Sequence, residues 1–357
     1  MFEELFKGGV STAGLIIELV ICSGIVVYAG GRMAGMGDKL AAITGLGRTW
    51  VGAIILGGVT SLPELVVTIG AVTVVNAPTL VFGNVLGSNC FNLLIIVFLD
   101  ITLVGGAALA RGGKTHIVSA LLGLLLMLVV GAGLLLGQSG ALLGGAPWVF
   151  SALIAILFLV AMRVMYTREK KIAASAEPDP DGLRLTPAEK RNTLVVFSIF
   201  AAIIVGAGLW LSVLGDRLGE HEFPGGFQLG KTFVGFLFIA LATSLPELSV
   251  SISAARRGFY DMALGNIFGS NIANMSFIFV GEIFLKTRDG VYYMFSGVPH
   301  PAALLVTVGA ACLMTLIAVI GIIGRSKRTL LRLGYCSLAM LLTYIVSMYL
   351  VFTLSSS

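Results

Sequence analysis

The sequence predicts an all-α integral membrane protein of ten transmembrane helices. They form two inverted five-helix repeats, with discontinuous second and seventh helices. Three observations predict this: an apolar composition, a one-sided distribution of lysine and arginine, and a doubled motif. Hydrophobic residues make up 57% of the 357 residues and charged residues 11%, and the mean hydropathy is +1.01. Soluble domains carry about 25% charged residues, so a soluble enzyme and a disordered chain are both excluded. The net charge of +5 follows from membrane topology, and no nucleic-acid partner is implied. The 46 glycines suit helices whose backbones approach closely in lipid. Cys22, Cys90, Cys312 and Cys336 lie in apolar stretches without CxxC pairing and read as packed free thiols.

Apolar stretches of about 20 residues or more, the length that crosses a bilayer, occur at residues 10–30, 48–75, 79–104, 116–137, 146–166, 192–214, 230–255, 260–285, 300–324 and 330–353. The first follows Glu3, Glu4 and Lys7 rather than a basic leader, so no cleavable signal peptide is expected. The second and seventh are long and interrupted by Gly, Thr, Ser and Pro. The polar stretch 167–191 reads as a flexible linker between a first unit, residues 1–166, and a second, residues 192–357. Of the 23 lysines and arginines, only Lys7, Arg217, Lys231, Lys286 and Arg288 fall on the side opposite that linker. The positive-inside rule then places the linker in the cytoplasm and both termini outside. The expected setting is the plasma (inner) membrane, with the lipid bilayer as partner and no obligatory protein partner.

The two units repeat one another. "TSLPEL" at Thr60–Leu65 returns at Thr243–Leu248, and "GNVLGSNCFN" at Gly83–Asn92 returns as "GNIFGSNIAN" at Gly265–Asn274. Upstream, "GDKL" at 37–40 matches "GDRL" at 215–218, and "GLGRTWVG" at 45–52 matches "QLGKTFVG" at 228–235. Five spans per copy is an odd number, so the copies must sit in opposite orientations. Inverted repeats with broken helices place a binding site near the bilayer midplane, at the repeat interface.

Glu64 and Glu247 fall in the middle of spans 2 and 7. An ionisable residue at that depth costs at least about 2.5–3.5 kcal/mol, and is tolerated facing a cavity or a partner. No basic residue lies nearby within the spans, so the natural partner is a bound cation. Two carboxylates facing each other suit Ca²⁺, which takes about 6–8 oxygen ligands. Thr60 and Glu64 share a helix face. Pro63 and Pro246 cannot donate to the carbonyl four residues back. Backbone unwound near Gly57–Ser61 and Ala240–Ser244 can therefore turn carbonyls toward an ion. Ser-x-Pro-Glu also resembles a helix cap, which does not account for a Glu kept twice in hydrocarbon. Ser88 and Asn92, and likewise Ser270 and Asn274, put a hydroxyl and an amide on one face of spans 3 and 8. Gly83, Gly87, Gly265 and Gly269 form small-residue edges for packing. Asn84, Asn89, Asn266 and Asn271 read as helix–helix hydrogen-bond formers or as supports for the ligands.

These paired motifs resemble the alpha-repeats of the cation/calcium exchanger superfamily, above all its prokaryotic sodium/calcium exchanger branch. The Glu-containing signature typical of the proton/calcium branch in helices 3 and 8 is absent. The resemblance implies four ion positions between helices 2, 3, 7 and 8. Carried onto this chain, Glu64 and Glu247 hold Ca²⁺ with Thr60 and Thr243. Sodium uses Thr60, Ser61, Ser88, Thr243, Ser244 and Ser270, with carbonyls from Gly57 and Ala240. Asn92 and Asn274 line the middle. The resemblance also implies that helices 1 and 6 slide across the core to alternate access. Many relatives carry Asp at one of the positions matching Asn92 and Asn274. Here both are Asn, which leaves two carboxylates in the core.

The expected function is a secondary antiporter exchanging Ca²⁺ for Na⁺, not an enzyme, with no cofactor beyond the transported ions and no separate calcium-sensing domain. Ca²⁺/H⁺ exchange and, further off, a cation channel are the alternatives. No HExxH, GxSxG or phosphate loop is present. Glu18 in span 1 reads equally as packed or as facing an ion passage. Asp100 and Glu282 near span ends read as solvated, and His116, His221 and His300 as solvent-facing loop residues. Arg256 and Arg257 fix topology. Trp50, Trp148 and Trp210 fall near span ends, as in an aromatic belt.

Overall fold

In the computed structural model the described residues are 11–36, 39, 43, 57–102, 107–137, 148–175, 185–223, 227–285, 294–296, 298, 301–326, 328–330 and 333–355. The start of span 2, the 45–52 segment and most of 37–40, Trp50, His300 and the middle of the 167–191 stretch lie outside them. The hydropathy limits reappear as helices: α1 (Thr12–Ala34), α2 (Gly57–Thr60), α3 (Leu62–Thr73), α4 (Pro78–Thr102), α5 (Ala108–Arg111), α6 (His116–Leu136), α7 (Trp148–Ser175) and α8 (Pro187–Glu220). The second half continues with α9 (Lys231–Val234), a π-helical turn (Gly235–Ile239), α10 (Ala240–Arg256), α11 (Tyr260–Phe284), α12 (Ala302–Gly324) and α13 (Tyr335–Ser355). Nine of the helical runs are long and apolar enough to cross a membrane, and α3 is a shorter apolar helix. Two antiparallel two-residue hairpins, Glu222–Phe223 with Phe227–Gln228 and Thr329–Leu330 with Leu333–Gly334, sit between α8 and α9 and between α12 and α13.

Local chemistry explains the boundaries. The α1 N-terminus is capped by Ser11, whose hydroxyl accepts from the Gly14 N–H at 3.2 Å. Ser61 (φ −83°, ψ 8°) breaks span 2 between α2 and α3, and Pro63 sits in the first turn of α3, where a missing N–H costs nothing. Span 7 departs from expectation. Its unwinding at Ala240–Ser244 is not found, and the chain is helical through Pro246. The Thr243 hydroxyl lies 3.0 and 3.4 Å from the Ile239 and Ala240 carbonyl oxygens. The irregularity falls one turn earlier, as the π turn. The 167–191 stretch is not one linker either, because α7 runs on to Ser175 and α8 starts at Pro187. A capping box starts α8: Thr186 Oγ1 accepts from Glu189 N–H at 3.3 Å, and Glu189 Oε2 accepts from Thr186 N–H at 2.8 Å.

Helices α4 and α11 pack on each other at the centre, with α3 and α10 against them. Helices α6, α7, α12 and α13 flank one side. On the other side α1 and α8 pair antiparallel, tied by Thr12 Oγ1 to His221 Nε2 (2.7 Å) and by Cys22 Sγ donating to the Ala207 carbonyl (3.2 Å). The outer helices display large apolar side chains such as Val20 (64% exposed) and Leu159 (66%). Apolar surface of that extent is what lipid covers.

Glycines set the closest approaches. A Cβ on Gly87 would lie 2.4 Å from the Phe236 carbonyl oxygen, and one on Gly83 would lie 2.7 Å from that of Thr232. The small-residue edge of α4 thus packs backbone to backbone on α9 and the π turn. A Cβ on Gly30 of α1 would fall 2.5 Å from the Pro246 ring, and one on Gly208 of α8 would lie 3.3 Å from the Pro63 carbonyl. Gly87→Ala is expected to destabilise by about 1–3 kcal/mol through overpacking. Gly206→Ala, with nothing within 4 Å, is expected to be neutral or mildly stabilising. Thermal unfolding of the two variants in detergent measures the difference, and equal melting temperatures would contradict the packing.

Candidate functional site

The break at Ser61 and the turn before Ala240 bring the two TSLPE segments together at the centre of the bundle. Thr60, Ser61, Glu64, Ser88, Asn92, Thr243, Ser244, Glu247, Ser270 and Asn274 are all buried to 0% exposure. The two halves exchange hydrogen bonds. Ser61 Oγ donates to Glu247 Oε1 at 3.0 Å, and Ser244 Oγ donates to Glu64 Oε1 at 3.0 Å. Ser88 Oγ adds a second donor to Glu64 Oε1 at 3.3 Å and lies 3.5 Å from Thr243 Oγ1. Thr60 Oγ1 donates to Asn266 Oδ1 at 3.4 Å, and Thr243 Oγ1 donates to Asn84 Oδ1 at 3.3 Å. The Ser61 and Ser244 bonds are counterparts across the repeats, and so are the Thr60 and Thr243 bonds. Ser61 stands at the N-cap position where α3 starts, as the Ser-x-Pro-Glu pattern suggests, but its hydroxyl makes no cap bond to that helix and serves the opposite carboxylate instead.

The site is short of donors. Glu64 Oε2, Glu247 Oε2, Asn92 Oδ1 and Asn274 Oδ1 are buried with no hydrogen-bond partner among the described residues. The ion pairs found among those residues join His116 to Asp261 and Lys231 to Asp216 and Glu220, and none reaches Glu64 or Glu247. Buried charge is stable only when paired or when it coordinates a cation. Two carboxylates, hydroxyls and amide oxygens make a hard, oxygen-only donor set of the kind that holds Ca²⁺ or an alkali cation. Ala240 opens α10, and its carbonyl is shared with the Thr243 hydroxyl; Gly57 opens α2.

The four remaining asparagines all take part in bonds across the core. Asn266 Nδ2 donates to the Glu247 carbonyl (3.3 Å) and Ser251 Oγ (3.0 Å). Its counterpart Asn84 Nδ2, and Thr68 Oγ1 at the position matching Ser251, have no partner among the described residues. The halves therefore differ here despite matching sequence.

Several residues outside the site are placed differently from the sequence expectation. Asp100 is buried, accepting from Ala108 N–H (2.6 Å), Gly334 N–H (2.7 Å) and Ser337 Oγ (2.7 Å). One donor comes from the turn that follows α4 and the other two from a segment distant in sequence. His116 is buried as well, its Nε2 lying 3.0 Å from Asp261 Oδ1, which also accepts from Gly113 N–H. Glu282 is half-buried and receives Ser151 Oγ (2.8 Å) and Met294 N–H (3.1 Å). Glu18 lies half-buried on α1, with Oε2 unpartnered among the described residues. Trp148 starts α7, but Trp210 lies well inside α8.

An apolar bundle with a buried, symmetric oxygen cluster at the junction of two repeats defines a membrane carrier of the inverted-repeat class. Comparison with known proteins narrows the class. The sequence profile of the family described as sodium/calcium exchanger protein matches residues 15–167 and 192–353. The chain is 28% identical over 269 residues to the uncharacterized membrane protein MJ0091 of Methanocaldococcus jannaschii, covering 73% of this chain and 79% of that one. It is 29% identical to the inner membrane protein YrbG of Escherichia coli, covering 74% and 77%. A structure of the sodium-calcium exchanger NCX_Mj soaked with 10 mM Na⁺ and zero Ca²⁺ shares the fold, with a TM-score of 0.60, 22% identity and coverage of 94% and 98%. The chain belongs to the sodium/calcium exchanger family, and it is a multi-pass membrane transporter rather than an enzyme.

The exchanged bonds predict symmetric losses. Ser61→Ala and Ser244→Ala each remove one donor from a buried carboxylate, and each is expected to cost about 1–3 kcal/mol of stability. Thermal denaturation of the two variants should give similar shifts. A silent change at either serine would show that the bonds are not exchanged between the halves.

Proposed function

We propose that the protein is a secondary antiporter that exchanges Ca²⁺ for Na⁺ by alternating access. The observation that carries this is the pair of buried carboxylates, Glu64 and Glu247. No cation of the described chain pairs with either, and each has one oxygen open. In this reading Glu64, Glu247, Thr60 and Thr243 ligate Ca²⁺. Thr60, Ser61, Ser88, Thr243, Ser244 and Ser270 serve Na⁺, with the Gly57 and Ala240 carbonyls, and Asn92 and Asn274 line the middle. Coupling follows from charge. One Ca²⁺ or two Na⁺ neutralise the pair, and both loads need the same oxygens, so neither is held while the other is. The tied pair α1 and α8 is the element that moves against the core to open the site to each side in turn. The lysine and arginine distribution supports a cytoplasmic 167–191 segment and outward termini in the plasma (inner) membrane.

The test is ⁴⁵Ca²⁺ uptake into proteoliposomes loaded with Na⁺, with K⁺, or with acid. Uptake with the Na⁺ gradient and not with the others is expected. Uptake driven by protons alone would replace this reading with Ca²⁺/H⁺ exchange, and uptake without any counter-gradient would make the protein a channel. Glu64→Gln and Glu247→Gln are each expected to cut Ca²⁺ uptake at least about 100-fold, since each leaves one carboxylate for a divalent ion. Near-native rates in either variant would remove that residue from the site.

A further inference from the structure

The two repeats place the same kinds of polar residue beside the carboxylates but bond them differently. Thr68 follows Glu64 by four residues, as Ser251 follows Glu247, and Asn84 precedes Ser88 by four, as Asn266 precedes Ser270. That spacing keeps each on the helix face that carries its site residue. Thr68, Asn84, Ser251 and Asn266 are all buried to 0% exposure. The two amide oxygens are used alike: Asn84 Oδ1 accepts from Thr243 Oγ1 at 3.3 Å, and Asn266 Oδ1 from Thr60 Oγ1 at 3.4 Å. The two amide nitrogens are not. Asn266 Nδ2 donates to the Glu247 carbonyl (3.3 Å) and to Ser251 Oγ (3.0 Å), and Ser251 Oγ lies 3.5 Å from the Ala263 carbonyl oxygen. These contacts tie α10 to α11 one turn beyond Glu247. Asn84 Nδ2 and Thr68 Oγ1 have no partner among the described residues, so the matching tie between α3 and α4 is not made. Serine and threonine offer the same hydroxyl, so residue type does not account for the difference. The repeats are inverted, so one turn beyond Glu64 and one turn beyond Glu247 lead toward opposite faces. By the lysine and arginine distribution, Thr68 lies on the outer side of the carboxylates and Ser251 on the cytoplasmic side.

We infer that Asn84–Thr68 and Asn266–Ser251 are reciprocal latches, one toward each face of the membrane, and that this structure has the cytoplasmic latch fastened and the outer one released. This rests on the alternating access proposed above. A buried donor without an acceptor is unfavourable, so the released pair is drawn toward closing. Closing it while the other opens leaves the number of bonds unchanged. Exchange of one latch for the other therefore keeps the two access states close in free energy, as a carrier that visits both requires. The four residues are positioning residues. They set which face the site opens to, and the cation is held by others.

The test is the half-saturating Ca²⁺ concentration for Na⁺-driven ⁴⁵Ca²⁺ uptake by the full chain, measured in right-side-out and in inside-out membrane vesicles against vesicles lacking the protein. Apparent affinity at a face scales with the fraction of carriers open to it, so Ser251→Ala is expected to raise the outer-to-cytoplasmic ratio of the two concentrations at least about 3-fold, and Thr68→Val to lower it at least about 3-fold. The double variant loses both latches and should return to within about twofold of the wild-type ratio. Thr68→Ser and Ser251→Thr keep the hydroxyls and should also leave the ratio within about twofold of wild type. A carrier that is merely destabilised loses uptake at both faces and keeps its ratio. A ratio unmoved in both Ser251→Ala and Thr68→Val, or moved in the same direction by both, would therefore overturn the latches while leaving the exchange reading intact. A shift as large in Thr68→Ser as in Thr68→Val would overturn them as well. Wild-type vesicles without Na⁺-driven uptake would overturn the exchange reading itself, and this proposal with it.

Discussion

Two carboxylates at membrane depth, with no basic residue among the described ones to neutralise them, are the constraint on which the rest of the structure depends. Isolated charge in hydrocarbon is unstable, and the fold gives one oxygen of Glu64 and of Glu247 a hydroxyl donor while the other oxygen of each has no partner among the described residues. The donors come from the opposite repeat, through Ser61 and Ser244. The central helices must therefore meet closely, and the glycine edge of α4 allows that against the π turn. The ionisable pair, the exchanged serines and the bare helix contact are parts of one solution.

Much of this was legible in the sequence because it is written twice. The repeated TSLPE and GN-x-x-GSN motifs located the segments that meet in the buried core, and an odd number of spans per copy required the inversion. Span limits followed from hydropathy because α1, α6 and α12 are apolar over most of their length. What was not legible depended on partners distant in sequence. Nothing local marks Asp100 as a buried acceptor, since its donors arrive from residues 108, 334 and 337. His116 and Asp261 head different helices, and only the bundle brings them together. The capping box Thr186–Glu189 was readable, but the surrounding charges and prolines favoured a linker. The π turn has no sequence signal of its own. Proline at 246 pointed to unwinding, whereas the chain stays helical through it.

The asparagines show how identical residues acquire different tasks. At 92 and 274 the amide oxygens have no partner among the described residues, whereas at 89 and 271 both ends of the amide are bonded. Residue type alone does not separate the two roles, because an amide is both donor and acceptor. The separation comes from the backbone carbonyls, which accept only.

The seating of α1 and α8 on the core has a mechanical consequence. Gly30 rests on the Pro246 ring and Gly208 against the Pro63–Val66 backbone and side chain, so on both sides a residue without a side chain meets a proline. Such a contact is a smooth bearing. A proline offers no N–H to catch a passing carbonyl. The two helices are meanwhile clamped to each other near Thr12–His221 and Cys22–Ala207. The pair is thus bonded at its own contact and meets the core helices partly through glycine.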